Sequence, residues 1–352
     1  MSKQRLALMY GGRSSEHDVS VRSATEVLAA VDRQRFEPVP IAVTREGRFK
    51  TGAPHEGLGH IMIGGESVED LALLLRSVDC VFPLLHGPHG EDGTFQGLFE
   101  VFGVPYVGSG VLASSLCMDK GAFKHHISAP PYDIPVTPGV SIDIRVESRE
   151  HALARARGAA RELGFPVFVK PANQGSSVGV SRADDGPQLE AAIELALRYD
   201  TQVIVERGLD AREIELAVLG DGGPETMVSL PGEIILPKGQ WYTYENKYVD
   251  DIATYAIPVE LPAETTALLQ ALALEAFRAT RCAGLARIDF LVERASLRPW
   301  LNEVNTMPGF TSISMYPKLM ASAGVPYGEL ISRLVDLGIA AHKRRATLSG
   351  TR

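Results

Sequence analysis

Apolar and polar positions along the chain change period repeatedly, and the first third sets the rhythm. Leu6 to Tyr10 reads as a buried strand that ends at Gly11-Gly12, after which Val21, Ala24, Val27, Leu28 and Val31 keep the 3.6-residue period of a helix. Val39 to Val43 is a second strand, Leu71 to Leu75 a helix, Cys80 to Leu85 a buried strand, and about Thr94 to Phe102 another helix. This alternation predicts an α/β fold with a parallel sheet covered by helices on both faces. Ligands of such sheets collect beyond the carboxyl ends of the strands, here the polar, glycine-rich runs 11–16 and 86–93.

A further helix starts near Leu112, and the proline-rich run from Ala129 to Pro135 cannot continue it. The middle stretch predicts a helix from Ser148 to Leu163, a strand Val167 to Lys170, a Gly/Ser loop, a helix Gln188 to Leu197 and a strand Val203 to Val205. The last stretch predicts a strand Ile214 to Leu219, a long aromatic segment, a helix Ala263 to Thr280 and a hairpin connected by Glu293 to Arg298. Domains are expected at 1–120, 121–212 and 213–352.

The hairpin carries the most informative chemistry. Alternate side chains of a strand share a face, so Arg287 sits with Asp289, and Glu303 with Asn305, while Ile288, Phe290 and Val292 point into apolar packing. Two carboxylates and an amide oxygen suit Mg²⁺, which completes its shell with nucleotide phosphates and water. A solvated face would show similar charges. The loop that ends the second strand, Pro308-Gly309 with Thr311-Ser312-Ile313-Ser314, favours the metal site.

Other candidates keep two readings each. Lys170 precedes Asn173-Gln174-Gly175-Ser176-Ser177, whose N–H groups and hydroxyls suit phosphates or form a structural turn equally well. Neither a Walker loop nor a Gly-x-Gly-x-x-Gly is present. Glu206 and Glu213 flank a turn, where they suit an adenine amino group and a ribose hydroxyl, or solvent. Glu16 begins a helix whose dipole favours a carboxylate, and it also suits a substrate ammonium. His86 ends a buried strand, where a satisfied structural histidine is the commoner case. The segment 231–258, with Trp241, Tyr242, Tyr244, Tyr248, Tyr255 and Lys247, reads as a lid over a hydrolysable intermediate or as a packed surface excursion.

Bulk properties exclude several classes. The 352 residues carry a net charge of −8, which gives no attraction to nucleic acid, and the one basic cluster, His342 to Arg345, is expected in a frayed tail. No apolar run approaches the ~20 residues needed to span a bilayer. Cys80, Cys117 and Cys282 are far apart in sequence and read as buried thiols in a reducing compartment. A strand beginning within a few residues of Met1 leaves no room for a signal peptide, so a cytoplasmic location is expected.

Together these residues resemble the D-alanine:D-alanine ligases of the ATP-grasp superfamily. The resemblance is carried by the ten residues from Gly11, the twelve from His86, Val-Gly-Ser-Gly with Met-Asp-Lys ending at Lys120, and Val-Lys-Pro at Lys170 with Gly-Ser-Ser-Val-Gly. It continues through Glu245 to Tyr248, Arg287 to Phe290 and the run from Asn302 through Ser314. It implies a three-domain ATP-grasp fold, α+β in its ATP-binding part, that joins two D-alanines through an acyl phosphate for peptidoglycan synthesis. It further implies Lys120, Lys170, Glu206, Leu209, Glu213 and Lys247 on ATP, and Asp289, Glu303 and Asn305 on Mg²⁺ or Mn²⁺, with two ions. Glu16 would bind the first ammonium near His86, and Ser176 would link Glu16 to Tyr248. Arg287 and the Gly309 N–H would stabilise the oxyanion, Ser314 would meet the second carboxylate, and the family suggests a homodimer. Rivals are an ATP-grasp ligase for another substrate pair, D-serine or D-lactate as second substrate, and a non-catalytic ATP-binding protein. Tyr248 speaks against D-lactate.

Overall fold

The computed structural model describes residues 2–235, 237 and 254–348. Among these, the strands form three sheets. The first has order β4-β3-β2-β1-β5, from β1 (Gln4–Gly11), β2 (Phe36–Val43), β3 (Phe49–Thr51), β4 (Glu66–Ser67) and β5 (Cys80–Pro83). Strand β1 pairs in parallel with β2 and β5, as the alternation predicts, but β3 and β4 add an antiparallel edge. The sheet is therefore mixed rather than all parallel. These edge strands are two or three residues long and carry no apolar period, which is why the sequence hid them. Strand β3 pairs with β2 only from Ile41 to Val43, so Pro38 and Pro40 sit where that side needs no donor. Helices α1 (His17–Ala30), α2 (Leu58–Gly64), α3 (Leu71–Arg76) and α4 (Thr94–Phe102) belong to this part, and α5 (Val111–Met118) and α6 (Lys120–Ser128) lead out of it.

The second sheet is antiparallel, with order β6-β9-β7-β8, from β6 (Gly139–Asp143), β7 (Val167–Pro171), β8 (Ser181–Ala183) and β9 (Gln202–Arg207). One face is covered by α7 (Arg149–Leu163) and α8 (Gly186–Ala196). Ser148 and Asp185 cap these helices through their side chains, and Ala152, Ala156 and Ala160 at a four-residue spacing bring α7 close to the sheet.

The third sheet joins β10 (Ala211–Gly220), β11 (Met227–Val228), β12 (Gly232–Ile235), β13 (Thr254–Ala256), β14 (Gly284–Glu293) and β15 (Pro299–Asn305), again antiparallel. Strand β10 starts at Ala211, so the expected boundary at 212 falls just inside it. Helix α9 (Ala263–Ala279) covers the face bearing Ile214, Leu216, Ile288, Phe290 and Leu301. Helices α10 (Met315–Ser322) and α11 (Tyr327–Ala346) follow β15.

The expected frayed tail is corrected here. His342 to Arg345 form the last turns of α11, where Arg344 pairs with Asp221 and Arg345 with Glu100, and cations at a helix C-terminus are favoured by its dipole. Leu330, Ile331, Leu334 and Val335 of α11 share one core with Leu6, Leu8 and Val27 of the first sheet and α1. Of the cysteines, all three are free and buried, but Cys117 and Cys282 meet thiol to thiol despite their separation in sequence.

Close packing of α11 depends on Gly338, where a Cβ would lie 2.4 Å from the Tyr106 carbonyl oxygen. Intrinsic helix propensity favours alanine over glycine by ~1 kcal/mol. Here Gly338→Ala is expected to destabilise the fold by about 1–3 kcal/mol, because the helix must shift off its core. Urea unfolding of both proteins decides the sign, and a more stable variant would refute this packing.

Candidate active site

Strands β10, β14 and β15 place three carboxylates in one row. Glu215 faces Asp289 across the β10–β14 pair, and Asp289 faces Glu303 across β14–β15. The next row sets Ala217 beside Arg287 and Arg287 beside Asn305. A register shift after Asp289 makes Leu301 the partner of Phe290 and leaves Asn302 as an extra residue. Leu301 and Val304 consequently point into the core, while Asn302, Glu303 and Asn305 line the other face.

Like charges directly opposite repel, and burial worsens the repulsion. Arg287 answers part of it. Its Nε and Nη2 donate to the two oxygens of Asp289 at 2.8 and 2.7 Å, and Nε lies 2.9 Å from Glu215. Burial disfavours the guanidinium charge, but Asp289 and Glu215 hold its pKa well above the ordinary value. Asn305 Nδ2 donates to Asp289 Oδ2 at 2.9 Å and to Glu303 Oε1 at 3.5 Å, so a donor already bridges the other pair. The amide's oxygen and nitrogen exchange by a simple flip, which would turn an oxygen to the same place. Among the described residues no three His, Cys, Asp or Glu side chains converge as a closed metal cage. Two carboxylates and the amide of the neighbouring row form an oxygen-rich set that fits a hard divalent cation, one that also takes phosphate oxygens.

Lysines approach from the second sheet and α6. Lys170, at the end of β7, lies 2.7 Å from Glu206 Oε2 and donates to Asn302 Oδ1 at 3.2 Å. Burial disfavours its charge, yet Glu206 and Glu303 raise its pKa overall. Lys120 begins α6 and donates to the Gln174 carbonyl at 2.5 Å; burial lowers its pKa against the pull of Glu303. One helical turn on, Lys124 bonds the other oxygen of Glu206. Glu206 is 1% exposed, and although burial raises its pKa, the two lysines bring it to about 2. It is thus no solvated surface acid. Glu213 on β10 adds to the field at Lys170, and Leu209 lies half-buried in the turn between β9 and β10.

The first sheet contributes the opposite wall. Glu16 is the N-cap residue of α1 but makes no side-chain cap bond. Ser176 Oγ donates to its Oε1 at 2.5 Å, and a Cβ on Gly87 or Gly175 would come within 2.7 or 2.9 Å of its Oε2. Two loops therefore close on one carboxylate. Ser176 and Ser177 both have positive φ, 49° and 59°, a conformation side chains resist and one often stored at ligand sites.

His86 is buried with both ring nitrogens engaged, Nδ1 with the Met307 carbonyl at 3.1 Å and Nε2 with Ser23 Oγ at 3.1 Å. Its geometry is that of a satisfied histidine tying α1 to the loop after β15. Glu91 Oε1 lies 3.6 Å from His86 Nδ1 and accepts from Gly87 N–H at 3.0 Å. Burial opposes the His86 charge, but Glu91 and Glu16 raise its pKa. After β15, Ser314 caps the loop before α10, with its Oγ 2.7 Å from Thr311 Oγ1 and 3.2 Å from where a Gly309 Cβ would stand.

A cleft bounded by Glu91, Lys120, Gln174, Ser176, Glu303 and Asn305 thus unites all three sheets. A larger cavity of about 330 Å³, lined by Leu219, Met227, Arg333 and Leu337, lies away from these groups. Lys247 and Tyr248 lie outside the described residues; Tyr255 stacks under the Lys318 ammonium. Sequence reading missed Lys124, Glu215, Asn302 and Glu91. Lys124 was signalled by its four-residue spacing from Lys120 and Glu215 by its two-residue spacing from Glu213, whereas Asn302 depends on the bulge.

Comparison with known proteins bears on the family and the fold. Residues 5–109 match the model described as D-ala D-ala ligase N-terminus, and residues 131–336 match D-ala D-ala ligase C-terminus. A D-alanine–D-alanine ligase of Solibacter usitatus is 43% identical over 345 residues, 97% of this chain and 98% of that one. The solved D-alanine-D-alanine ligase of Coxiella burnetii aligns with a TM-score of 0.83 at 32% identity, over 98% of this chain and 97% of that one. The VanG D-Ala:D-Ser ligase of Enterococcus faecalis gives 0.83 at 33%, over 96% and 100%. With both halves of its length matched by the two family models and its fold and motifs in agreement, the chain belongs to the D-alanine–D-alanine ligase family.

Proposed function

We propose that the protein joins two molecules of D-alanine at the expense of ATP, giving D-alanyl-D-alanine, ADP and phosphate for peptidoglycan precursors in the cytoplasm. The observation that carries this reading is the Ser176–Glu16 contact, which fastens an amino-acid-binding carboxylate to the phosphate-type loop. A protein that bound nucleotide alone would not need Glu16. The family likeness also supports a homodimer, and no helix among the described residues is long and apolar enough to cross a membrane.

In the first step an oxygen of the D-alanine carboxylate attacks the γ-phosphorus, and the bond to the ADP oxygen breaks. Glu16 holds the ammonium of this D-alanine, with His86 and Glu91 behind it. Lys120, Lys170 and Lys247 neutralise the phosphates, while Glu206, Leu209 and Glu213 hold the base and ribose. Positioning and charge neutralisation are most of what phosphoryl transfer requires. Asp289, Glu303 and Asn305 would hold Mg²⁺ or Mn²⁺, two ions, which supply further charge neutralisation at the phosphates. In the second step the amine of another D-alanine attacks the acyl carbon. Arg287 and the Gly309 N–H stabilise the oxyanion, and phosphate leaves with the electron pair of its carbon–oxygen bond and takes up the proton that the nitrogen gives up. Ser314 orients the second carboxylate, and Tyr248 would close the lid against water.

The similarity to a D-Ala:D-Ser ligase supports D-serine as an alternative second substrate. Tyr248 favours an amine over the hydroxyl of D-lactate. Phosphate release from ATP and Mg²⁺ should require D-alanine, with dipeptide formed in step; L-alanine, D-serine or D-lactate alone should give none. Adding D-serine or D-lactate to D-alanine ranks the second substrates. ATP binding without release under any condition would sink the reading. Chelation with EDTA should abolish turnover and added Mg²⁺ or Mn²⁺ restore it; full activity in EDTA would remove the metal assignment. Arg287→Lys keeps a charge but loses the planar fork, so kcat should fall by about 10²–10³ with ATP affinity retained, and an undiminished kcat would displace Arg287 from the oxyanion.

A further inference from the structure

We propose that Lys124, which the mechanism above does not use, is a positioning residue of the purine pocket: it holds the buried Glu206 carboxylate so that a 6-amino purine is accepted and a 6-oxo purine refused. This rests on the ligase reading and on Glu206 meeting the base.

Each carboxylate oxygen of Glu206 accepts from one lysine, Oε1 from Lys124 and Oε2 from Lys170 at 2.7 Å. An ionised carboxylate has about four acceptor sites, so both oxygens retain a lone pair for another donor. The exocyclic amino group of adenine is such a donor. A 6-oxo purine would set an oxygen against the carboxylate instead.

Stability alone does not account for Lys124. It is 8% exposed and its partner 1%, and a buried ion pair usually gains little over apolar residues of the same volume. A single lysine, Lys170, would already neutralise the carboxylate. The second one frees Lys170 to reach Asn302 at 3.2 Å, on the strand that carries Glu303. Helix α6 therefore serves two ends of one ligand, with Lys120 turned to the Gly/Ser loop through the Gln174 carbonyl and Lys124 turned to Glu206. Burial brings Lys124 to about 8 against the attraction of Glu206. With Lys124 removed, the carboxylate would be left to Lys170 alone, so its free oxygen would lose the contact that sets its direction and the acceptor would rotate.

The test is steady-state kinetics of Lys124→Met and Lys124→Arg with ATP and with ITP, whose base carries an oxygen in place of the 6-amino group and a proton on N1. Lys124→Met should raise KM for ATP about tenfold and narrow the ATP-over-ITP preference by a similar factor, with kcat and KM for D-alanine within about threefold. Lys124→Arg should recover most of both. Should the methionine variant not fold, Lys124→Gln, which drops the charge but keeps a donor, should show both changes in smaller measure. An unchanged ATP-over-ITP ratio in a folded variant would overturn the proposal, as would an equal loss in every parameter that arginine does not rescue. A wild-type protein that releases no phosphate with D-alanine would instead refute the ligase reading beneath it.

Discussion

Repulsion within the row Glu215–Asp289–Glu303 is the constraint around which this face of the third sheet is built. Directly opposed side chains in an antiparallel sheet stand about 4.5–5.5 Å apart, too close for three carboxylates without cations between them. The sheet tolerates this because its other face buries Ile214, Leu216, Ile288, Phe290, Leu301 and Val304 in one apolar cluster. Core packing fixes the strands, and the strands in turn fix acids that would otherwise move apart. Arg287 then has a structural duty before any chemical one: its fork holds Asp289 and touches Glu215.

The same economy of charge explains the lysines. Lys120, Lys124 and Lys170 come from α6 and β7, elements of no common sheet, yet all three end near acids of the β10–β14–β15 face or at Glu206. A polyphosphate entering such a place exchanges some lysine–carboxylate contacts for lysine–phosphate ones. The site is poised for an anion rather than empty of counter-charge. On the facing side Glu16 is enclosed by Gly87, Gly175 and Ser176, where only glycines leave enough room for the carboxylate.

Much of this was legible in the sequence because periodicity reports which face a residue occupies. The opposite orientations of Arg287 and Ile288, the helix over 94–102 and the hairpin connection at 293–298 all follow from periods of 2 or 3.6, and the structure bears them out. What stayed hidden depends on relations between distant segments. The short strands β3 and β4 carry too few residues for a period. The basic end of α11 reads as a tail until its pairing with Asp221 and Glu100 is seen. Asn302 joins Glu303 on one face only through the bulge, which no alternation rule anticipates, and Lys124 has meaning only once Glu206 is beneath it.

The seating of α11 on the first sheet bears on how the chain is made. Its apolar residues complete the core begun by Leu6, Leu8 and Val27, with roughly 300 residues of synthesis in between. At ~5–20 residues per second a ribosome needs about 15–60 s to cover that distance. Throughout that time this sheet lacks the helix that completes its core. A strand made early is therefore sealed only by a helix made roughly 300 residues later.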